Sequence, residues 1–204
     1  MQFFQRRIVQ LAQNGNPRLL NLLDSGLLPY TNFNQATFPA VDSNLVASAP
    51  DPTDTAAVLA FVRAHAPDTF DGLPVHFGQT FFNTVSPATA FPNGGDPTLL
   101  PGFDLEMWGI PTSSPEIDPH NHNFVYQRFQ RGIMMYDATC NCTQGVLLAD
   151  YLKSVLTGAH LPPDLASEAQ NSPFYHQYAP GQPTWVRDPS LLPNTNLINA
   201  FTPE

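Results

Sequence analysis

Two acidic residues near the middle of the chain have a spacing that could serve acid–base chemistry. Asp104 and Glu106 are separated by one residue, so both side chains would lie on one face of a β-strand. Glycoside hydrolases act with two carboxylates held at a defined separation, and the ring of Trp108 would give a sugar a surface to stack on. Acids at this spacing are also common by chance, because a catalytic pair usually comes from distant parts of a chain. Hydrolysis at Asp104 and Glu106 is therefore kept as an alternative, and no catalytic residue is predicted.

Two arginines stand in the same local setting. Arg6 and Arg131 each have apolar residues two positions before and two positions after them, so on a strand they would share a face with core residues. A core-facing arginine lays its aliphatic stem on apolar surface and gives its guanidinium an acceptor. We predict an internal structural clamp rather than an anion- or sugar-binding arginine, because a buried charge without a partner is costly. The candidate partners are Asp104, Glu106 and Asp137.

The other candidates for chemistry are two cysteines and a pair of histidines. Cys140 and Cys142 are the only cysteines, and their spacing fits neither a zinc site nor a Cys-x-x-Cys redox motif, which leaves a small disulfide or two free thiols. His120 and His122, together with Asp118, could hold a zinc ion. Their spacing matches no familiar zinc motif, however, and a solvated loop is the expected structure. No phosphate-binding loop, dinucleotide fingerprint or nucleophile elbow occurs, so we predict no metal and no cofactor.

The composition indicates a protein with few charges and many loops. Charged residues make up 12% of the 204 residues, about half of the usual share, and there are 22 prolines and a single lysine, Lys153. Cytosolic proteins normally stay soluble through Lys and Glu, so this profile favours an exported, extracellular protein. A net charge of -9 with scattered basic residues argues against a nucleic-acid partner. No apolar run reaches the roughly 18 residues that cross a bilayer, so no membrane insertion is expected.

The beginning of the chain recurs in its second half. Residues 2–8 and 127–133 are identical at five of seven positions without a gap, and the register continues so that the leucine pair at 22–23 falls on the pair at 147–148. A match of this kind indicates an internal repeat. Because the first copy begins inside its strand, we expect the chain to be the C-terminal part, or a processed fragment, of a longer exported protein.

The hydrophobic pattern predicts a mixture of strands and helices around these residues. Segments with alternating or continuous apolar residues are predicted as strands: 2–11, 73–77, 80–85 and 124–136. Segments with capping or stop signals are predicted as helices: 56–64, 146–156 and 163–170. Asn14-Gly15 indicates a tight turn. The expected divisions are an N-terminal half-repeat with an ordered irregular segment (1–52), a main module (53–158) and a short helix with a Pro-rich tail (159–204).

Two motifs give the main module a family resemblance. Residues 108–113 are Trp-Gly-Ile-Pro-Thr-Ser, and after a polar spacer residues 129–133 are Phe-Gln-Arg-Gly-Ile. This pattern resembles the bacterial LGFP-type repeat over about residues 105–158, with half a repeat at the N-terminus. The spacer at 116–123 is longer than that family usually shows, and Arg7 replaces the glycine in the first copy.

The resemblance implies a module of an exported, envelope-associated protein that holds the cell wall or its glycans. The rings expected to contact a glycan are Trp108, Tyr126 and Tyr136. We predict an α+β chain of repeat units, each a strand or β-hairpin followed by a short helix, with long Pro-rich irregular connections. The expected role is non-enzymatic binding to envelope polysaccharide or to sibling modules. The alternative is a structural subunit of a surface assembly, a homo-oligomer in which the N-terminal strand pairs with a neighbour.

Overall fold

The computed structural model describes residues 2–4, 6–11, 14–25, 27–179 and 182–191, without the side chains of residues 2, 3, 179 and 182–185. Within these ranges the chain is α+β, as the sequence predicts, with short helices and antiparallel strands in small sheets. The helices are α1 (Ser43–Ala47), α2 (Thr55–His65), α3 (Phe77–Phe82), α4 (Pro87–Ala90), α5 (Leu100–Trp108), α6 (Leu148–Thr157) and α7 (Pro163–Ala169). The strands are β1 (Gln2–Phe3), β2 (Ile8–Leu11), β3 (Pro17–Leu19), β4 (Asn32–Phe33), β5 (Ala36–Thr37), β6 (Glu116–Ile117), β7 (Phe124–Phe129), β8 (Gly132–Asp137), β9 (Cys142–Gly145), β10 (Tyr178–Ala179) and β11 (Gln182–Val186). Each helix of the described residues falls short of the length and apolar character that a membrane crossing requires.

The chain divides into two compact units whose bounds differ from the three expected segments. Unit 1 joins Met1–Gln35 to Leu147–Glu204, and unit 2 is the continuous stretch Ala36–Val146. Contacts distant in sequence make unit 1 discontinuous. The ring of Phe33 meets that of Tyr151 edge-on, with centroids 4.7 Å apart. A division at residues 52 and 158 would separate these partners, which sequence patterns alone do not reveal.

Unit 2 is built on a four-stranded antiparallel sheet in the order β6-β7-β8-β9. Helices α2, α3 and α5 contribute side chains to the same core as β7 and β8. The core residues of this unit are buried and mostly aromatic or branched: Val62, Ala66, Val75, Phe77, Phe81, Trp108, Val125, Phe129, Met134 and Tyr136. One residue of each motif, Trp108 and Phe129, therefore belongs to this apolar cluster.

Unit 1 contains the three-stranded antiparallel sheet β1-β2-β3, the pair β10-β11 and the helices α6 and α7. The turn between β2 and β3 passes through Asn14 and Gly15, and Gly15 has φ +81°, a value that glycine adopts without strain. Helix α6 buries one face and ends at Gly158, whose φ of +72° closes the helix. The predicted turn and the predicted helices 146–156 and 163–170 are confirmed.

Helix α2 is also confirmed, and its beginning follows the sequence signal. The carboxylate of Asp54 accepts a hydrogen bond from the amide of Ala57 at 3.0 Å, which satisfies one of the open donors of the first turn. Val58 and Val62 form the buried stripe. Leu59 is partly buried and packs against the same core.

None of the four predicted strands is observed as predicted. Residues 80–85 overlap helix α3, and residues 73–77 form no strand beyond an isolated bridge at Leu73. Residues 100–108 form helix α5, so Asp104 and Glu106 lie on a helix and not on the strand considered for them. A short apolar run does not distinguish a buried strand from a buried helix. The long strand predicted at 124–136 is a hairpin, β7 and β8, with its turn at residues 130–131. The strand predicted at 2–11 is likewise divided, into β1 and β2.

The two sequence copies form hairpins of the same register. Gln2 pairs with Val9 as Gln127 pairs with Met134, and Phe3 pairs with Ile8 as Arg128 pairs with Ile133. A third strand follows each hairpin. In both copies, the residue just after this strand donates its amide to the carbonyl oxygen of the aligned isoleucine. Leu20 donates to Ile8 at 2.8 Å, and Val146 donates to Ile133 at 2.9 Å. The likeness ends there, because α6 follows in the second copy whereas residues 22–25 of the first form turns. In the second copy the boundary between the two units falls at residues 146–147, between the third strand and α6, so the expected repeat unit of hairpin plus helix is not confirmed.

Candidate functional site

The indole of Trp108 is enclosed in the core of unit 2. Its exposed fraction is 4%. Its Nε1 donates a hydrogen bond to the hydroxyl of Thr84 at 2.7 Å, and its ring lies 5.7 Å from that of Phe129. A sugar stacks on an accessible ring face, and Trp108 offers none. The prediction that Trp108 binds carbohydrate is therefore wrong in this conformation, and the residue anchors α5 on the sheet.

The two tyrosines predicted to bind a glycan are buried as well. Tyr126 is 4% exposed and meets the ring of Phe38 edge-on at 4.8 Å. Tyr136 is 2% exposed, and its hydroxyl donates to the side-chain oxygen of Asn141 at 2.9 Å. Tyr136 lies on the sheet face of Val125 and Phe129, whereas Tyr126 lies on the opposite face, and both rings are covered. Composition alone does not separate aromatic residues of a core from those of a binding surface.

Asp104 and Glu106 do not face a common site. Two positions on a helix are separated by roughly 200° around its axis, so the side chains diverge. Asp104 is fully buried and its Oδ1 accepts a hydrogen bond from the amide of Val85 at 2.9 Å, whereas Glu106 is exposed. Among the described residues, the second oxygen of Asp104 has no hydrogen-bond partner. The acid pair on which the hydrolase alternative depended is therefore absent from this region.

The pKa of Asp104 should make the stability of unit 2 depend on pH. Burial raises this pKa, and the hydrogen bond from Val85 opposes the shift only in part. A carboxyl whose folded-state pKa is raised favours the folded state when protonated, and this contribution is lost as the pH rises through the folded-state value. We expect Asp104→Asn, which keeps an acceptor for Val85, to gain stability over the wild type as the pH rises, with the two converging in acid. Urea unfolding at acidic and neutral pH measures this, with Glu106→Gln as the control on the same helix. Parallel curves for Asp104→Asn and wild type would contradict the assignment.

Arg131 lies in the turn between β7 and β8 and forms an ion pair with Glu106. One guanidinium nitrogen stands 2.6 Å from the Glu106 carboxylate and donates to the carbonyl oxygen of the same residue. Both side chains are partly solvated, so the pair contributes about 1 kcal/mol or less. Asp137 instead accepts from the amide and hydroxyl of Thr139, at 2.8 and 2.6 Å. Arg6 lies half-buried in the bend between β1 and β2. The expectation that Arg6 and Arg131 lie on a strand facing the core is wrong, because both lie where a hairpin turns.

The buried arginines are Arg7 and Arg128, which the sequence reading did not single out. Arg128 is 3% exposed, and its Nε donates to the carbonyl oxygen of Pro39 at 2.8 Å. Burial lowers its pKa. Arg7 is also buried, and burial together with the charge of Arg6 lowers its pKa to about 10. Placing the hairpin turn at residues 130–131 would have pointed to Arg128, because that turn puts it on the buried strand.

Cys140 and Cys142 form a disulfide in the turn between β8 and β9. The sequence left this open between a bond and two thiols. The expected histidine loop is solvated, with His120 and His122 exposed, while the buried Asp118 accepts from the backbone amide of His120 at 2.8 Å. In the described ranges, no three His, Cys, Asp or Glu side chains are arranged to hold a metal ion.

The motif at residues 108–113 lies along the outer edge of the second hairpin. Four hydrogen bonds of 2.8–2.9 Å join it to β7 and the following turn: Thr112 N to Arg128 O, Gln130 N to Ile110 O, Arg131 N to Trp108 O, and Arg128 N to the Ser113 hydroxyl. Pro111 lies opposite Phe129 in this pairing. The segment therefore acts as an added strand, and the two sequence motifs meet at this edge.

Comparison of the chain with protein-family models, with curated protein sequences and with solved structures found no match.

Proposed function

We propose that the chain is a non-enzymatic module of an exported protein and that it attaches to sibling modules of its own kind. The observation that carries this proposal is the pair of hairpins with one register, one in each unit. A chain that builds the same hairpin twice uses it as a structural part, since each repeat of such a protein buries its faces against neighbours.

The proposal of export rests on the covalent chemistry and the surface. The disulfide between Cys140 and Cys142 is of a kind that persists in oxidising compartments. The low charged content of 12% agrees with a surface of amides, hydroxyls and loops. The resemblance to LGFP-type repeats points to the bacterial envelope.

Sibling modules fit the geometry better than a glycan. The three rings expected to hold a glycan lie in the core. In unit 1, by contrast, apolar side chains of the first hairpin and its neighbouring strand stand in solvent, with Phe4 50% and Leu11 66% exposed. Exposed apolar residues on a small sheet favour contact with another protein surface.

The test is sedimentation velocity over a wide range of protein concentration. We expect the sedimentation coefficient to rise with concentration, and Leu11→Glu to weaken this rise. Asn16→Glu, which adds the same charge at an exposed position of the same unit, serves as the control. A chain that stays monomeric at every concentration, and that instead cosediments with insoluble envelope polysaccharide, would overturn the proposal in favour of glycan attachment.

A further inference from the structure

In the second hairpin, the outer edge of β7 binds the segment 108–113 of the same chain. In an antiparallel hairpin, every second residue turns its amide and carbonyl away from the partner strand. Arg128 is such a residue of β7, and its outward groups bond to Thr112 and Ser113. The peptide that lies there is extended, and its proline needs no donor because the pairing uses the amide of Thr112. A proline is compatible with an edge strand for this reason.

The first hairpin presents the same edge. Phe3 aligns with Arg128 and pairs with Ile8 as Arg128 pairs with Ile133. The next pair is hydrogen-bonded, since the amide of Phe4 donates to the carbonyl of Arg7 at 2.9 Å. The alternation therefore turns the amide and carbonyl of Phe3 outward. In the sheet β1-β2-β3 of the described residues, β1 is an edge strand.

We propose that the outer edge of β1 binds an extended peptide of the Gly-Ile-Pro-Thr type, contributed by a sibling module, as an added β-strand. The proposal rests on the proposed function and names its partner. The two hairpins share a register, so Phe3 offers an added segment the same outward amide and carbonyl as Arg128 does at β7. Backbone hydrogen bonds supply affinity in this mode of recognition, and side chains select the peptide. The chain's own segment 108–113 is engaged at β7, so the peptide comes from a sibling module whose copy of this segment is not paired with its own hairpin.

The test uses the whole chain and a fluorescent synthetic peptide with the sequence of residues 107–115, followed by fluorescence anisotropy. The wild type and Phe3→Ala are expected to bind the peptide. Phe3→Pro removes the outward amide while leaving the donors of the hairpin in place, and proline favours an extended residue before it. We expect Phe3→Pro to bind at least roughly tenfold more weakly than Phe3→Ala. Equal binding by these two variants, or no binding by the wild type, would overturn the proposal.

A modified peptide tests the same contact without altering the protein. Methylation of the backbone nitrogen of the threonine equivalent to Thr112 removes the donor that bonds to β7 in the second hairpin. Wild-type protein is expected to lose the same roughly tenfold in affinity for this peptide. Undiminished binding of the methylated peptide would also overturn the proposal, even if Phe3→Pro failed to fold.

The two experiments separate this proposal from the proposed function. Self-association without peptide binding would refute the β1 edge as the contact and leave attachment to sibling modules standing. Peptide binding by a chain that stays monomeric and binds polysaccharide would leave the β1 edge standing as a peptide-binding site and refute attachment to sibling modules.

Discussion

Phe129→Ala is expected to lower the free energy of unfolding of unit 2 by about 3–5 kcal/mol, the usual range for an enclosed phenylalanine. Phe129 is 0% exposed. Its ring lies 6.0 Å from that of Phe81 and 5.7 Å from that of Trp108, so it joins α3 and α5 to β7. Alanine would leave a cavity between three elements that cannot all close around it. The measurement is urea unfolding followed by far-UV circular dichroism and tryptophan fluorescence.

The chain supplies its own control for this substitution. Phe4 is the residue that aligns with Phe129, and both are followed by Gln-Arg, but Phe4 is 50% exposed. Phe4→Ala is expected to change the unfolding free energy by no more than about 0.5 kcal/mol, as is usual for surface positions. Equal losses for the two variants would mean that local sequence, and not enclosure, sets the contribution of this residue.

The pair Phe4 and Phe129 also shows where sequence reasoning stops. The repeat could be found because identical residues recur at a fixed register, but each copy was predicted as a single strand where the structure has a hairpin. Which copy would bury its phenylalanine depends on what packs against the hairpin. In the second copy, α3 and α5 do so. The sequence reading predicted a strand over residues 80–85, which overlaps α3, and considered one at Asp104 and Glu106, which lie on α5. The same misreading made Asp104 and Glu106 look like neighbours on one face.

The helices differ in whether the residue that caps their first turn lies next to the helix in the sequence. Helix α2 has its cap in Asp54, directly before its first residue, and was predictable. Helix α3 receives its cap from Asp68, whose carboxylate accepts from the amide of Gln79 at 2.8 Å, eleven residues away. His76, before its first turn, has φ +50° and provides no side-chain cap. A helix whose beginning is stabilised by a distant residue leaves no start signal in its own sequence.

The candidate site was misplaced for a related reason. Trp108 was predicted to hold a sugar, whereas the backbone of residues 108–113 bonds to the edge of β7 around an isolated bridge at Pro111. Residue types indicated that Trp108 and the arginines mattered, but their spacing does not specify which groups face inward. That assignment required the position of the hairpin turn, which only Gly132 marks in the sequence.

Gln127→Leu is expected to lower the free energy of unfolding by about 2–4 kcal/mol, although leucine is more apolar and similar in size. Gln127 is 0% exposed. Its side-chain nitrogen donates to the carbonyl oxygens of His65 at 2.6 Å and Ser113 at 3.0 Å, which join the end of α2 and the edge segment to β7. Leucine would leave both carbonyls without this donor, and an unsatisfied buried acceptor costs about 1–3 kcal/mol.

The control and the readout follow from the same geometry. Gln130→Leu replaces an exposed glutamine next to β7 and is expected to change stability by about 0.5 kcal/mol at most. Amide hydrogen exchange should accelerate at Thr112 in Gln127→Leu, since the edge segment loses one of its anchors. If Gln127→Leu equals the wild type in both stability and exchange, the amide does not hold the segment, and the backbone pairing with β7 suffices. A buried amide is a weak source of net stability but a strong constraint on register. We therefore expect the exchange rate at Thr112 to be the more sensitive of the two measurements.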